Sequence, residues 1–165
     1  IFITPPRQSE YSYSSPSLYQ AMAQPGVIYA GSVKPIPEIV VVQDTSGSMS
    51  NADIVSSMSE VQGIVNRVCP NGLRVIACDA RANKAQSLRD ARKFRSYGRG
   101  GTDMRIGVEA ALKAKPRPNV IIVMTDGYTP WPTSQPKGCR LIACIIGRMR
   151  STSSVPAWLP FVEVG

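Results

Sequence analysis

Four nearly continuous apolar runs constrain the fold of this 165-residue chain more than any other feature. The runs occupy residues 39–43, 73–78, 119–124 and 140–146. Strands that do not alternate between apolar and polar side chains are covered on both faces, which is typical of a parallel sheet between helices. Residues 84–88 are predicted to add a short edge strand, and residues 161–164 a last strand.

Two stretches with helical periodicity lie between the runs. Ser50 and Asp53 have the spacing of a capping box. An apolar stripe follows, and it ends before residues 70–72: Ile54, Met58, Val61, Val65 and Val68. A second helix is predicted from residue 102 or 103 to residue 114, with three inward side chains: Met104, Val108 and Ala111. The sequence therefore predicts an α/β fold, with a doubly wound and mostly parallel central sheet flanked by helices.

The first 36 residues differ in composition from the rest of the chain. Six of the fourteen prolines fall within residues 1–37, among Ser, Tyr and Gln. We predict an arm or linker over residues 1–36, extended or irregular, and one domain over residues 37–165. Because the chain begins at Ile1 and not at Met, we expect it to be a piece of a longer protein.

The composition excludes some classes of function. Histidine is absent, so Ser-His-Asp and Cys-His catalysis cannot occur within this chain. The cysteines lack metal-binding spacing, and we predict buried, reduced thiols in a cytoplasmic protein. They are Cys69, Cys78, Cys139 and Cys144. No apolar stretch approaches the roughly 18 residues that span a bilayer, so no membrane partner is expected.

Polar residues follow two of the apolar runs and open the second helix. Asp44, Ser46 and Ser48 follow the first run, Thr102 precedes the second helix, and Asp126 follows the third run. Each motif taken alone also suits a turn or a helix cap. Because the carboxyl ends of parallel strands meet at one edge of a sheet, we expect the three motifs to converge there. Carboxylate and hydroxyl oxygens are ligands that suit a hard cation such as Mg²⁺.

The pattern resembles the metal-ion-dependent adhesion site of von Willebrand factor A (VWA) domains. In that family a D-x-S-x-S loop, a distant Thr and a later Asp hold one Mg²⁺. The chain is also similar to bacterial VWA-like domains found at the carboxyl end of metallopeptidase-related proteins. That likeness runs from about residue 25 to the end and rests on four stretches: Pro25-Gly26, Cys78-Asp79-Ala80, Gly100-Gly101-Thr102-Asp103 and residues 125–132.

The resemblance implies a ligand set and a function. Carried over, the metal ligands are Asp44, Ser46, Ser48, Thr102 and Asp126. Hydroxyl ligands leave the cation, Mg²⁺ or Mn²⁺, with net positive charge, so that an open position accepts a carboxylate from a partner protein. The domain is therefore expected to bind and not to catalyse. Relatives accompany MoxR-type AAA ATPases, which makes such a machine or its substrate the expected partner.

Two other functions stay open at this point. The chain has a net charge of +8, and its basic residues concentrate over residues 81–105, which also suits nucleic acid. Only Phe94 and Tyr97 are interleaved with them, so support for base stacking is thin. A metal-assisted hydrolase would need a general base, for which Asp79 and Asp103 are the candidates.

Four neighbours of the predicted site have secondary roles. Asp79 is expected to be a turn residue and not a ligand. Tyr128 and Trp131 either form a contact surface for the partner or pack their loop onto the domain. Gln43 stands where an apolar residue is usual in the family, and we expect this departure to matter little.

Overall fold

The chain divides into two units, Ile1–Pro37 and Glu38–Gly165. The computed structural model describes residues 10–16, 30–33, 36–69, 71–96, 100–148 and 150–164. In the first unit, strands β1 (Glu10–Pro16) and β2 (Ala30–Val33) form an antiparallel pair. The expected arm thus contains a two-stranded sheet, which its Pro-rich composition does not reveal. The Pro25-Gly26 motif lies outside the described residues.

The described residues of the second unit form a six-stranded sheet and two α-helices. In chain order its elements are β3 (Ile39–Asp44), α1 (Asn51–Arg67), β4 (Leu73–Cys78), β5 (Gln86–Leu88), a 3₁₀ turn (Ala91–Lys93), α2 (Met104–Leu112), β6 (Val120–Thr125), β7 (Arg140–Ile146) and β8 (Phe161–Val164). The strand order is β5-β4-β3-β6-β7-β8, and only β5 is antiparallel to its neighbour. This architecture confirms the predicted doubly wound α/β fold. Of the candidate strand 84–88, only residues 86–88 pair with the sheet.

The helices cover opposite faces of the sheet. Side chains of α2 pack in one cluster with alternate residues of the central strands, among them Val40, Val42 and Val123. The intervening residues point to the other face. There the hydroxyl of Ser57 on α1 donates to the side chain of Gln43. Coverage on both faces explains why every residue of β3 and β6 is buried.

Both helices begin at side-chain caps. Ser50 and Asp53 form the predicted capping box at the start of α1. At α2 the cap is Asp103, whose side chain accepts from the backbone N–H of Arg105. Thr102 is therefore not the helix cap, although Thr and Asp are both favourable there.

The predicted burial of the cysteines is confirmed, since all four thiols are buried, and none forms a disulfide in the structure. Burial raises the pKa of the Cys78 thiol to about 12. Among the described residues, no helix is both long and apolar enough to cross a membrane.

The order of the strands places the candidate site. The chain leaves β3 toward β4 on one side and reaches β6 on the other, so the winding reverses between β3 and β6. Ligands of such sheets bind at the carboxyl ends of the strands that flank this reversal. Asp44 ends β3, and Asp126 directly follows β6.

Two glycine substitutions test the packing of the helices. A Cβ at Gly107 on α2 would lie 2.5 Å from Cγ1 of Val42 and 2.9 Å from Sγ of Cys78, whereas a Cβ at Gly63 on α1 would meet nothing within 4 Å. We expect Gly107→Ala to lower the free energy of unfolding by about 1–3 kcal/mol through overpacking. Gly63→Ala should raise it by about 0.5–1 kcal/mol, because alanine favours the helix.

Urea unfolding monitored by circular dichroism measures both changes. Equal stability of the two variants would contradict the close approach of α2 to the sheet.

Candidate metal centre

Asp44 is the buried centre of the candidate site. Its exposed fraction is 0%. Oδ1 accepts a hydrogen bond from the backbone N–H of Ser46 at 2.9 Å, and Oδ2 accepts one from Oγ1 of Thr125 at 2.6 Å. The first bond closes the turn after β3, and the second joins the ends of the two central strands. Both carboxylate oxygens are thereby oriented.

The two serines of the first loop lie together. Oγ of Ser46 and Oγ of Ser48 are 3.0 Å apart and share a hydrogen bond. Ser46 is buried, whereas Ser48 is exposed. The D-x-S-x-S loop therefore presents a carboxylate and two hydroxyls in sequence from the interior toward solvent.

The second loop is fixed to the first by the backbone. The N–H of Gly47 donates to the carbonyl of Gly100 at 3.3 Å. Asp79 holds the second loop from β4, because its side chain accepts from the N–H of Gly100 and its carbonyl accepts from the N–H of Asp103. Thr102, half-buried, lies within the segment that these contacts anchor.

The third loop carries Asp126, which is 5% exposed. Oδ1 of Asp126 accepts from the N–H of Tyr128 at 3.1 Å, and its carbonyl accepts from the N–H of Ser151 at 2.8 Å. Oγ1 of Thr129 accepts from the N–H of Met104 at 3.0 Å, which ties this loop to the start of α2. Each pair of the three loops is thus joined by at least one hydrogen bond.

The electrostatics of Asp44 favour a cation. Burial raises the pKa of its carboxyl above the ordinary value, and the negative charge of Asp126 adds to this rise. Hydrogen bonds from Thr125 and Ser46 oppose the rise. No basic side chain of the described residues contributes to the balance. Asp44 and Asp126 form no ion pair with a described residue, and two such buried carboxylates fit a divalent cation, which would compensate their charge.

The donor set also fits a hard cation. Among the described residues, no three Asp, Glu, Cys or His side chains form a metal-binding group. Two carboxylates surrounded by hydroxyl oxygens give an all-oxygen set of the kind that suits Mg²⁺ or Mn²⁺. The direct contact of each of the five predicted ligands with the ion stays a prediction. For Thr102, the structure supplies only the position of the loop that carries it.

Thr125 is a residue of the site that was not predicted from the sequence. Its hydroxyl donates to Asp44 and accepts from the N–H of Gly127 at 3.2 Å. The pairing of Gln43 with Met124 places the next residues of β3 and β6, Asp44 and Thr125, side by side. The strand order was the signal needed to find this contact, since the residues are 81 positions apart in sequence.

Gln43 has a larger role than we expected. It is fully buried, and its Nε2 donates to the carbonyl of Asp44 at 2.9 Å. Its Oε1 accepts from Oγ of Ser57 at 2.7 Å. The polar side chain thus links helix α1 to the peptide that carries Asp44. An apolar residue at this position would leave the Ser57 hydroxyl without that acceptor.

The remaining neighbours separate into structural and exposed residues. Asp79 is a turn residue as predicted, since its carboxylate accepts from the N–H groups of Arg81 and Gly100. Trp131 is buried in the α2-side core and donates to Oγ of Ser154 at 3.4 Å. Tyr128 is 58% exposed beside Asp126 and is the one of the two aromatic residues that is available for contact.

Two of the solved structures that share this fold are of Bacteroides proteins. An aerotolerance-related membrane protein from Bacteroides fragilis shares 16% sequence identity and a TM-score of 0.54, over 67% of this chain and 68% of that one. The conserved hypothetical protein BatB from Bacteroides thetaiotaomicron shares 16% identity and a TM-score of 0.50, over 66% of each chain. At such low identity these likenesses show the fold alone.

The comparison of sequences identifies the family. Among curated proteins no significant match was found. The family model described as VWA-like domain (DUF2201) matches residues 39–164, which include all three loops of the site. The chain therefore belongs to the VWA-like domain family DUF2201 and, at the coarse level that this membership supports, is a protein-interaction module.

Proposed function

We propose that the domain binds Mg²⁺ or Mn²⁺ at the carboxyl edge of its sheet and recruits a carboxylate of a partner protein to the bound cation. One observation carries this proposal. The buried carboxylates of Asp44 and Asp126 and the hydroxyls of Ser46 and Ser48 are held on loops that hydrogen bonds join to one another. When bound, the cation would supply a positive centre that accepts a carboxylate oxygen.

The charged residues of the site are buried, and two of its uncharged residues are closer to solvent. Asp44 and Asp126 are buried and supply negative charge from below the surface. Ser48 is exposed and Thr102 is half-buried, so neutral oxygens border the open side. A partner carboxylate approaching from that side would meet these uncharged hydroxyl oxygens, which repel it less than carboxylates would.

Binding is favoured over hydrolysis by the state of the two candidate bases. Asp79 accepts two backbone hydrogen bonds that hold its turn. Asp103 caps α2 and pairs with Arg105, whose hydrogen bond holds the pKa of the Asp103 carboxyl below its ordinary value. These contacts hold Asp79 in its turn, and the lowered pKa makes the Asp103 carboxylate a weaker base. We therefore propose a binding module and no enzyme.

A protein partner is favoured over nucleic acid. In the basic stretch, Arg92 pairs with Asp90 and Arg105 with Asp103, which reduces the charge available to phosphates. Phe94 is half-buried, and Tyr97 lies outside the described residues. A MoxR-type AAA ATPase or its substrate remains our proposed partner, and the cytoplasmic location remains a prediction.

Metal-dependent stability tests the site directly. We expect Mg²⁺ to stabilise the wild-type domain by about 2.7 kcal/mol at a concentration of about 100 times Kd. Asp44→Asn should abolish this gain. Without metal the variant should be about as stable as wild type, because removal of the buried charge offsets the loss of one of the two hydrogen bonds that Asp44 accepts. Thermal unfolding with Mg²⁺ or EDTA measures both effects.

Asp90→Asn is the matched control, since it removes a carboxylate from a surface pair. It should retain the full response to Mg²⁺. A wild-type domain that does not respond to Mg²⁺ or Mn²⁺ would contradict the proposed site.

The contact between Thr125 and Asp44 gives a second prediction. Thr125→Val removes the donor to Oδ2 of Asp44, and we expect Mg²⁺ affinity to fall about 10- to 100-fold. Thr125→Ser keeps the hydroxyl and should retain affinity within about threefold of wild type. Calorimetric titration of both variants checks this difference, and equal affinities would exclude an orienting role for the hydroxyl.

Recruitment of a partner gives a third prediction. In a pull-down from source-cell lysate, a protein should be retained by the wild-type domain with Mg²⁺ and released by EDTA or by Asp44→Asn. Nucleic acid retained equally with Mg²⁺, with EDTA and by the variant would instead assign the function to the basic stretch.

A further inference from the structure

An open groove runs along one side of helix α1. It has a volume of about 810 Å³ and lies between α1 and the segment of residues 89–96. Val55, Met58, Ala91 and Phe94 provide apolar surface within it. Val55 is 66% exposed, although it is a branched apolar side chain in the middle of a folded surface. The groove therefore contains apolar surface that the described residues do not cover.

One wall of the groove belongs to a basic segment of the chain, from which Arg89 and Arg92 line the groove itself. Residues 89–96 include four basic side chains and a single carboxylate, that of Asp90. The basic residues are all exposed: Arg89, Arg92, Lys93 and Arg95. Asp90 pairs with Arg92, so the segment keeps a net positive charge. A ligand that complements both features is apolar on one side and acidic along its edge.

The groove leads to the candidate metal centre. Helix α1 begins at Asn51, three residues after Ser48. At this end of the helix, the hydrogen bond from the N–H of Gly47 to the carbonyl of Gly100 joins the first two loops of the site. Ile54 and Gln62, which both line the groove, are separated by about 12 Å along the helix axis. An extended chain covers that distance with about four residues.

We infer that the groove holds an acidic, apolar segment of the partner protein, with one carboxylate of that segment reaching the metal centre. The inference rests on the proposed function and specifies the chemistry of its partner. Apolar side chains of the segment contact Val55, Met58 and Phe94, and its acidic residues face Arg89. About five or six extended residues span the groove and the first turn of α1.

Nucleic acid fits this surface less well. Its bases would require exposed aromatic faces for stacking, whereas the groove presents aliphatic side chains and a half-buried Phe94. Apolar area beside a basic segment is instead typical of a peptide-binding groove.

The experiment uses a defined probe. A fluorescein-labelled peptide of alternating Glu and Leu is titrated with the domain, and binding is followed by fluorescence anisotropy with Mg²⁺ or EDTA. A second peptide has Ser in place of Leu. The variants are Val55→Asp, which places a carboxylate in the groove, and Val162→Asp, the same exchange on the exposed strand β8. Asp44→Asn removes the contribution of the metal centre to peptide binding and leaves the groove intact.

We expect the Glu-Leu peptide to bind more tightly than the Glu-Ser peptide. Val55→Asp should weaken Glu-Leu binding at least about tenfold, both with Mg²⁺ and with EDTA, because like charges then oppose each other. Val162→Asp should bind as wild type does. Asp44→Asn should lose the gain from Mg²⁺ and keep the binding seen in EDTA.

Several results would overturn the inference. Unchanged binding by Val55→Asp would exclude the groove as the peptide site. Equal binding of the two peptides would show that the surface recognises negative charge alone. A wild-type dimer that Val55→Asp dissociates would make a second copy the occupant. A single-stranded oligonucleotide that displaces the peptide equally from wild type and Val55→Asp would assign the surface to nucleic acid.

Thermal unfolding of Val55→Asp distinguishes a failure of the groove inference from a failure of the proposed metal site. If Mg²⁺ stabilises this variant as it does wild type while peptide binding is unchanged, the groove inference fails and the metal site stands. If Mg²⁺ stabilises neither protein while peptide binding in EDTA still depends on Val55, the metal site fails and the groove stands.

Discussion

The hydrogen bond between Thr125 and the buried carboxylate of Asp44 is the contact on which the arrangement of the site depends. It joins the ends of the two central strands at the point where the winding of the sheet reverses. An unpaired carboxylate at 0% exposure would be strongly destabilising, so its acceptor oxygens require donors. Thr125 and the backbone of Ser46 provide these donors, and the geometry of both loops follows from that requirement.

Around this contact, the site is built mainly from backbone and hydroxyl groups. Gly47 and Gly100 connect the first two loops, and Thr129 connects the third loop to the start of α2. Gly127 has a positive φ of 92°, and a Cβ there would collide with the carbonyl of Ser151. The third loop therefore needs glycine directly after Asp126. Rigid placement of few charges is what a binding site for one cation requires.

The fold was predictable because its signals are local. The apolar runs identify the buried strands, and Ser50 with Asp53 marks the start of α1 within a few residues of sequence. The contacts of the site are different in kind. Thr125 and Gln43 acquire their roles only through strand pairing and helix packing, which residue type does not encode. Thr102 and Asp103 both suit a helix cap, so sequence alone does not decide which of them caps α2.

The separation of 81 positions between Asp44 and Thr125 has a consequence for the order of folding. The first loop can form as soon as β3 and α1 are made, since the bonds of Asp44 to Ser46 and of Ser46 to Ser48 are local. The complete site exists only after β6 has inserted beside β3, a pairing that closes a long loop of chain. A polypeptide emerging from the ribosome thus gains its full set of oxygen donors late. Under the proposed function, competence to bind a cation would coincide with completion of the sheet, and incompletely folded chains would not compete for the partner.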